Sequence, residues 1–297
     1  MTLLNKPTLV YHADWGSKTS KRWCAKATLG ADGRYTASGP SPVGEPTKLI
    51  QNLKSAVGDT GLAFAGFDFP IGVPAHFAKR AGISKFRDFL PLLDTEVWKD
   101  FHSVCEKAEE ISVHRPFYPQ GAYKGRLRVD LLRGHGVSTV VPLLRNCERG
   151  GNGLRQACSL FWTLGGNQVG KAALIGWRDV LAPALRNGRA VQLWPFDGSL
   201  QCLFVPGALV VAETYPAECY GWFSDKLLGR KGDPENRRKF SKLLSGWAGK
   251  NSVVIDDVSA QKCVTDFRTA KTMHSTLLSG SSECFRMPRT TRFRGAG

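Results

Sequence analysis

No stretch of this chain stays apolar for the roughly 18 residues that a membrane-crossing helix needs. The opening residues, MTLLNKPTLVYHADWG, lack the basic start, apolar centre and small-residue cleavage site of a secretory leader. No membrane partner is expected, and the cytoplasm is the expected location. None of the eight cysteines (Cys24, Cys105, Cys147, Cys158, Cys202, Cys219, Cys263 and Cys284) forms a CxxC pair, which argues against the usual zinc and dithiol redox sites. Scattered along so long a chain, they read as small core side chains in a reducing compartment, not as disulfide staples. There is no internal repeat, and no Ser-His-Asp or Cys-His arrangement of a covalent catalyst stands out. Acidic residues are scarce: 25 Asp and Glu against 41 Lys and Arg, a net charge of +16. Such an excess favours a polyanion, with nucleic acid the first candidate, although it reads equally well as general solubility charge.

What remains is the composition of a globular protein, 42% hydrophobic and 22% charged over 297 residues. That length suits one large domain, or a core domain with a sizeable insertion. Residues 7–15 (PTLVYHADW) and 22–29 (RWCAKATL) read as strands, with Asp32-Gly33 as a turn before a third segment near Tyr35. The Pro/Gly-rich residues 38–46 read as a loop. Leu49, Leu53, Ala56 and Val57 recur at helical spacing, and Gly58 is a natural stop. LAFAGFD, residues 62–68, is the next strand, and a single helix crossing to it favours parallel pairing.

Residues 75–186 differ in character. They are rich in charge and aromatics and read as an inserted helical subdomain, with helical stretches over 95–110 and 172–186. The core resumes with strand candidates at 190–195 and 208–213. It continues with a helix over 233–247, capped by Asp233, begun by Pro234 and striped with Phe240, Leu243, Leu244 and Trp247.

Three carboxylates end apolar runs: Asp14 in VYHADWG, Asp68 in AGFDFPIG and Glu213 in VVAETYP. An acid beside a buried strand is costly to desolvate unless something positive pairs with it. Acids converging from several strands repel one another, and Mg²⁺ or Mn²⁺ would remove that penalty, since hard oxygen ligands suit both ions. Two such ions could clamp the oxygens of a phosphodiester displacement. Each acid taken singly also reads as a solvated turn residue or a helix cap. Lys18, with Lys21 and Arg22, follows Asp14 closely and could bind phosphate or form a solvated turn. Arg126 and Arg128 belong to a run of bases and aromatics from His114 to Arg128 that suits single-stranded nucleic acid or, equally, an anchored surface loop. The loop Gly165–Lys171 fits most of the GxxxxGK phosphate pattern, but Ala172 stands where a metal-binding hydroxyl is needed. Lys171 could still touch a substrate phosphate. Arg145 and Glu148 are spaced for an ion pair, and Asp256-Asp257 read as a helix cap or turn.

At these residues the chain resembles domain-of-unknown-function family 429. ADWGSKTSKRW, GFDFPIGVP and AETYPAE occur in that order, and FWTLGGNQVGKAALIGWRDVL followed by LWPFDG is similar to one branch of the family. The resemblance spans residues 8–272. It implies an RNase H-like α/β fold, a mixed sheet flanked by helices, in which Asp14, Asp68 and Glu213 hold one or two Mg²⁺ or Mn²⁺ ions and catalyse phosphodiester hydrolysis. The family is expected to close with a helix near Asp-Asp-Ala-Phe-Asp-Ala that supplies a last acid. Here residues 273–297 instead read as a basic, disordered tail; from Lys262 onward there are seven basic and two acidic residues. Plausible codons for Lys271–Leu278, read in a neighbouring frame, encode Asp-Asp-Ala-Phe-Asp-Ala-Ala-Val. That points to a frameshift, which the coding DNA decides. Two alternatives follow: a catalytically impaired nucleic-acid-binding protein of the same fold, or a phosphotransferase using the Gly165–Lys171 loop.

Overall fold

The structure is a computed structural model that describes residues 5–121, 127–150, 156–165, 169–188, 191–215, 233–256 and 259. Seven strands form one mixed sheet: β1 (Leu9–Asp14), β2 (Trp23–Leu29), β3 (Tyr35–Pro42), β4 (Ala63–Phe67), β5 (Val191–Trp194), β6 (Leu209–Glu213) and β7 (Val253–Ile255). Their order is β5-β6-β4-β1-β2-β3-β7. β2 runs antiparallel to both of its neighbours, β1 and β3, whereas β4 joins β1, β6 joins β4, β5 joins β6 and β7 joins β3 in parallel. The chain is thus α/β, a mixed sheet flanked by helices. Among the described residues no helix is long and apolar enough to cross a membrane.

The two faces of the sheet follow from strand alternation. Leu9, Tyr11, Ala13, Ala63, Ala65, Phe67, Leu209 and Val211 share one core cluster. Val10, Phe64, Val210 and Ala212 belong to a second one. The first face is covered by α1 (Pro46–Val57), through Leu49, Ile50 and Leu53, and by the residues between β4 and β5. The described residues of that segment form no separate core: Phe77, Phe101, Phe117, Phe161 and Trp177 pack in the same cluster as the sheet. The second face is covered by Leu244 and Ala248 of the helix Pro234–Lys250. Asp233 caps that helix as expected, accepting the Glu235 amide at 2.9 Å. Leu243 lies at the rim of the stripe, 36% exposed.

Two expectations need correction. The loop placed at residues 38–46 is strand as far as Pro42, paired with β2 through a bulge between Cys24 and Lys26. Prolines are tolerated there because β7 covers the outer edge of β3 only at Tyr35–Ala37. Residues 95–110 hold only two short 3₁₀ turns, Glu96–Trp98 and Ala108–Glu110. Asp94 and Glu96 have φ of 64° and 42°, which no α-helix accommodates, while buried Trp98 and Phe101 anchor the segment by their rings. Strand β7 has no counterpart in the sequence reading.

A buried histidine makes the fold acid-sensitive. His135 is 3% exposed, stacks on Phe161 and bonds through Nε2 to the Pro116 carbonyl at 3.0 Å, so Nε2 carries the proton of a neutral ring. Burial pushes its pKa down to about 4, against the pull of the Pro116 bond and with help from Arg80 and His76. Unfolded, the ring takes its proton near pH 6.5. Stability is therefore complete above that value and is lost as the pH falls from there towards 4, by about 3 kcal/mol at most. Denaturant midpoints between pH 7.5 and 4.5 should show this decline, shallower in His135→Gln; an unchanged slope refutes it.

Candidate functional site

The exits of β1, β4 and β6 lie side by side. Ala13 is in register with Phe67, and Phe67 with Glu213. The ladder continues one residue further, because the Asp68 amide donates to the Ala13 carbonyl at 3.0 Å and the Thr214 amide to the Phe67 carbonyl at 2.9 Å. Asp14 and Asp68 therefore occupy equivalent positions on neighbouring parallel strands, about 4.8 Å apart in the pairing direction. By alternation both belong to the face of Val10 and Phe64, and Thr214, one residue past β6, joins them. His12 lies one pleat behind on the same face, fully buried, with Nδ1 2.9 Å from Thr214 Oγ1.

Glu213 departs from this arrangement. It shares the register of Ala13 and Phe67, so its side chain leaves the sheet on the opposite face, where Arg145 meets it. Arg145 Nη2 donates to Glu213 Oε1 at 2.8 Å, and Nη1 donates to Glu213 Oε2. Arg145 also holds Glu148 through Nε at 2.9 Å and Nη2 at 2.7 Å. Burial draws the Arg145 pKa down, but the Glu213 and Glu148 carboxylates more than offset it, and the net is a guanidinium held charged. The expected Arg145–Glu148 ion pair is present; that Glu213 joins it as a third member is not foreseen in the sequence. The expectation that three carboxylates converge on one cation is corrected at Glu213, whose oxygens are taken by a guanidinium. Among the described residues, no group of three or more His, Cys, Asp and Glu side chains is arranged to hold a metal.

Asp14 and Asp68 remain neighbours in backbone register at the exits of β1 and β4. Mg²⁺ keeps several waters and takes one or two carboxylates plus substrate phosphate, so a full cage of protein ligands is not required.

The other expected residues are dispersed. Lys18 is exposed beside the short turn Thr19–Lys21, two residues past Gly16. Gly16 allows that turn to close: a Cβ there would stand 2.9 Å from the Lys21 Cβ. Arg128 is exposed at the start of the helix Arg128–Gly134, with its guanidinium carbon 5.9 Å from the centroid of the Trp162 ring. Arg126 lies outside the described residues, as do Gly166–Gln168 of the glycine-rich loop and the tail. Lys171 is half-buried in the first turn of the helix Gly170–Gly176. Gly170 has a packing reason to be glycine, since a Cβ there would meet the Leu160 carbonyl oxygen at 2.4 Å. Ahead of it, the described residues offer only an isolated bridge, Tyr118 to Trp162, and no strand from which a phosphate loop would spring. Asp256 is a turn residue: its two carboxylate oxygens accept the Ser259 amide at 2.8 Å and the Ser259 hydroxyl at 2.7 Å. Compared with protein-family models, curated proteins and solved structures, the chain has no match in any of the three.

Proposed function

We propose that this chain is a divalent-metal-dependent nuclease or related phosphodiesterase of RNase H-like fold, working at the exits of β1 and β4. The observation that carries the reading is the in-register parallel pairing of β1 with β4, which brings Asp14 and Asp68 to neighbouring positions on one face. The strand order supports the fold assignment: an antiparallel run β1–β2–β3 beside the parallel set β1, β4 and β6. Family 429 membership is proposed on the same grounds together with the ordered motifs.

Asp14 and Asp68 would hold Mg²⁺ or Mn²⁺, which when bound supplies Lewis acidity towards a phosphoryl oxygen and a more acidic water. Lys18 and Lys21, exposed on the turn that leaves Asp14, would attract the phosphate backbone. Thr214 offers a hydroxyl on the same face, its orientation fixed by His12. Arg145 keeps Glu213 turned away from this face, so Glu213 contributes structure there instead of metal ligation.

The direct test uses the full chain with single-stranded and duplex DNA and RNA, in Mg²⁺ or Mn²⁺ and in EDTA. Cleavage that requires the metal is expected; none with any substrate overturns the nuclease reading. The withdrawal of Glu213 favours one second reading, a nucleic-acid-binding protein of the same fold that has lost turnover. In that case binding would weaken steeply with salt and no metal-dependent cleavage would accompany it.

A further inference from the structure

Two buried guanidiniums brace the two strand exits that carry Asp14 and Asp68. Arg22 is 6% exposed. Its guanidinium carbon lies 4.8 Å from the centroid of the Trp15 ring. Nε donates to the Gly16 carbonyl at 3.0 Å and Nη2 to the Ser17 carbonyl at 3.5 Å. On its other side, Nη1 stands 3.9 Å from Asp179 Oδ2, in the segment between β4 and β5. The three residues that follow Asp14 therefore close around one cation.

Arg145 does the equivalent for the second exit. It is 8% exposed and donates through Nη1 to the Ile71 carbonyl at 3.1 Å. Its partner Glu213 accepts the Ile71 amide at 2.9 Å. One ion pair thus holds both polar groups of the Ile71 backbone, three residues past Asp68. Between them, the Pro70 carbonyl accepts the Trp177 Nε1 proton at 2.7 Å.

The chemistry explains why arginine stands at both places. Its planar fork can serve several acceptors at once, and at Arg22 its face also lies over the Trp15 ring, which the point charge of lysine cannot do. Two carboxylates on adjacent strands repel each other, and a loose turn would let them splay. A site that is to bind a small hard cation needs its ligands held to a fraction of an ångström by the atoms behind them.

We propose that Arg22 and Arg145 are positioning residues, latches that fix the turns behind Asp14 and Asp68 so that the two carboxylates stay together. The proposal rests on reading those acids as metal-holding. It also assigns the segment between β4 and β5 a role beyond covering the sheet, since that segment supplies Arg145, Glu148 and Asp179.

The test titrates Mn²⁺, followed by its electron paramagnetic resonance, into the full-length chain and three variants. Arg22→Gln and Arg22→Lys should each bind Mn²⁺ about 10–100-fold more weakly, the usual effect of losing a group behind a metal ligand. Leu244→Ala removes bulk from a core cluster that contains no residue of either turn. It should lower the melting temperature and leave the affinity unchanged. Arg22→Gln that binds as tightly as the parent, or Leu244→Ala that loses as much affinity, overturns the latch. If the parent itself binds no Mn²⁺, the metal reading has failed and amide exchange decides the latch alone. Faster exchange confined to residues 14–17 in Arg22→Gln supports it, and unchanged exchange there overturns it.

Discussion

Replacing Arg145 with methionine should lower the unfolding free energy by about 3–5 kcal/mol, the range for breaking a buried ion pair from one side. Methionine fills similar space without charge, so the loss comes from what it leaves behind. Glu148, 5% exposed, loses two charge-assisted bonds to the Arg145 side chain. Glu213 loses a two-pronged partner and the Ile71 carbonyl a donor. Glu148 has almost no water to replace the guanidinium, and Glu213, with a side chain 30% exposed, has only part of it. Lysine at this position should fall between the parent and methionine, because one ammonium cannot reach both carboxylates in the fork geometry. The double variant Arg145→Met with Glu213→Gln should recover part of the loss, since the second change removes one of the stranded charges. Urea unfolding of the four proteins measures this directly. A methionine variant within about 1 kcal/mol of the parent, the worth of an exposed pair, would mean that the cluster is far wetter than its burial indicates.

That cluster also marks the limit of what the sequence discloses. The Arg145–Glu148 pair is legible, because i and i+3 face each other on one helical turn. The Glu213 partner is not, because it lies 68 residues away and only the tertiary fold brings it near. Strands β1, β2, β4, β5 and β6 could be read from short apolar runs punctuated by Gly, Pro and Asp. Their faces are legible one strand at a time: Asp14 shares the face of Val10, and Glu213 that of Leu209 and Val211. Which faces coincide depends on register, and a slip of one residue exchanges them. With Phe67 opposite both Ala13 and Glu213, the third acid turns to the wrong side for its two expected companions. Thr214, one residue later, was passed over because a hydroxyl gives a weaker signal than a carboxylate. Residues 95–110 read as helical from the sequence, but Trp98 and Phe101 reach the core from turns.

Replacing either carboxylate at the paired exits should reveal whether they act as one site. Asp14→Asn and Asp68→Asn keep shape and hydrogen-bonding capacity but remove one negative charge. If the two acids hold one cation, each variant should bind Mn²⁺ at least about 100-fold more weakly, since groups merely behind a ligand already cost about 10–100-fold. Metal-dependent cleavage should fall by at least as much. Stability should move the other way or not at all. Like charges in register on adjacent strands are destabilising by a fraction of a kcal/mol to about 1 kcal/mol, which sets the scale of any gain from neutralising one. Glu213→Gln should differ, losing stability through Arg145 and weakening Mn²⁺ binding by no more than the ~10–100-fold expected of a group behind a ligand, because its carboxylate leaves the sheet on the other face. This crossed pattern separates a metal pair from a structural anchor within a single set of measurements. If Glu213→Gln abolishes Mn²⁺ binding while Asp68→Asn leaves it intact, the site has been placed on the wrong face of the sheet.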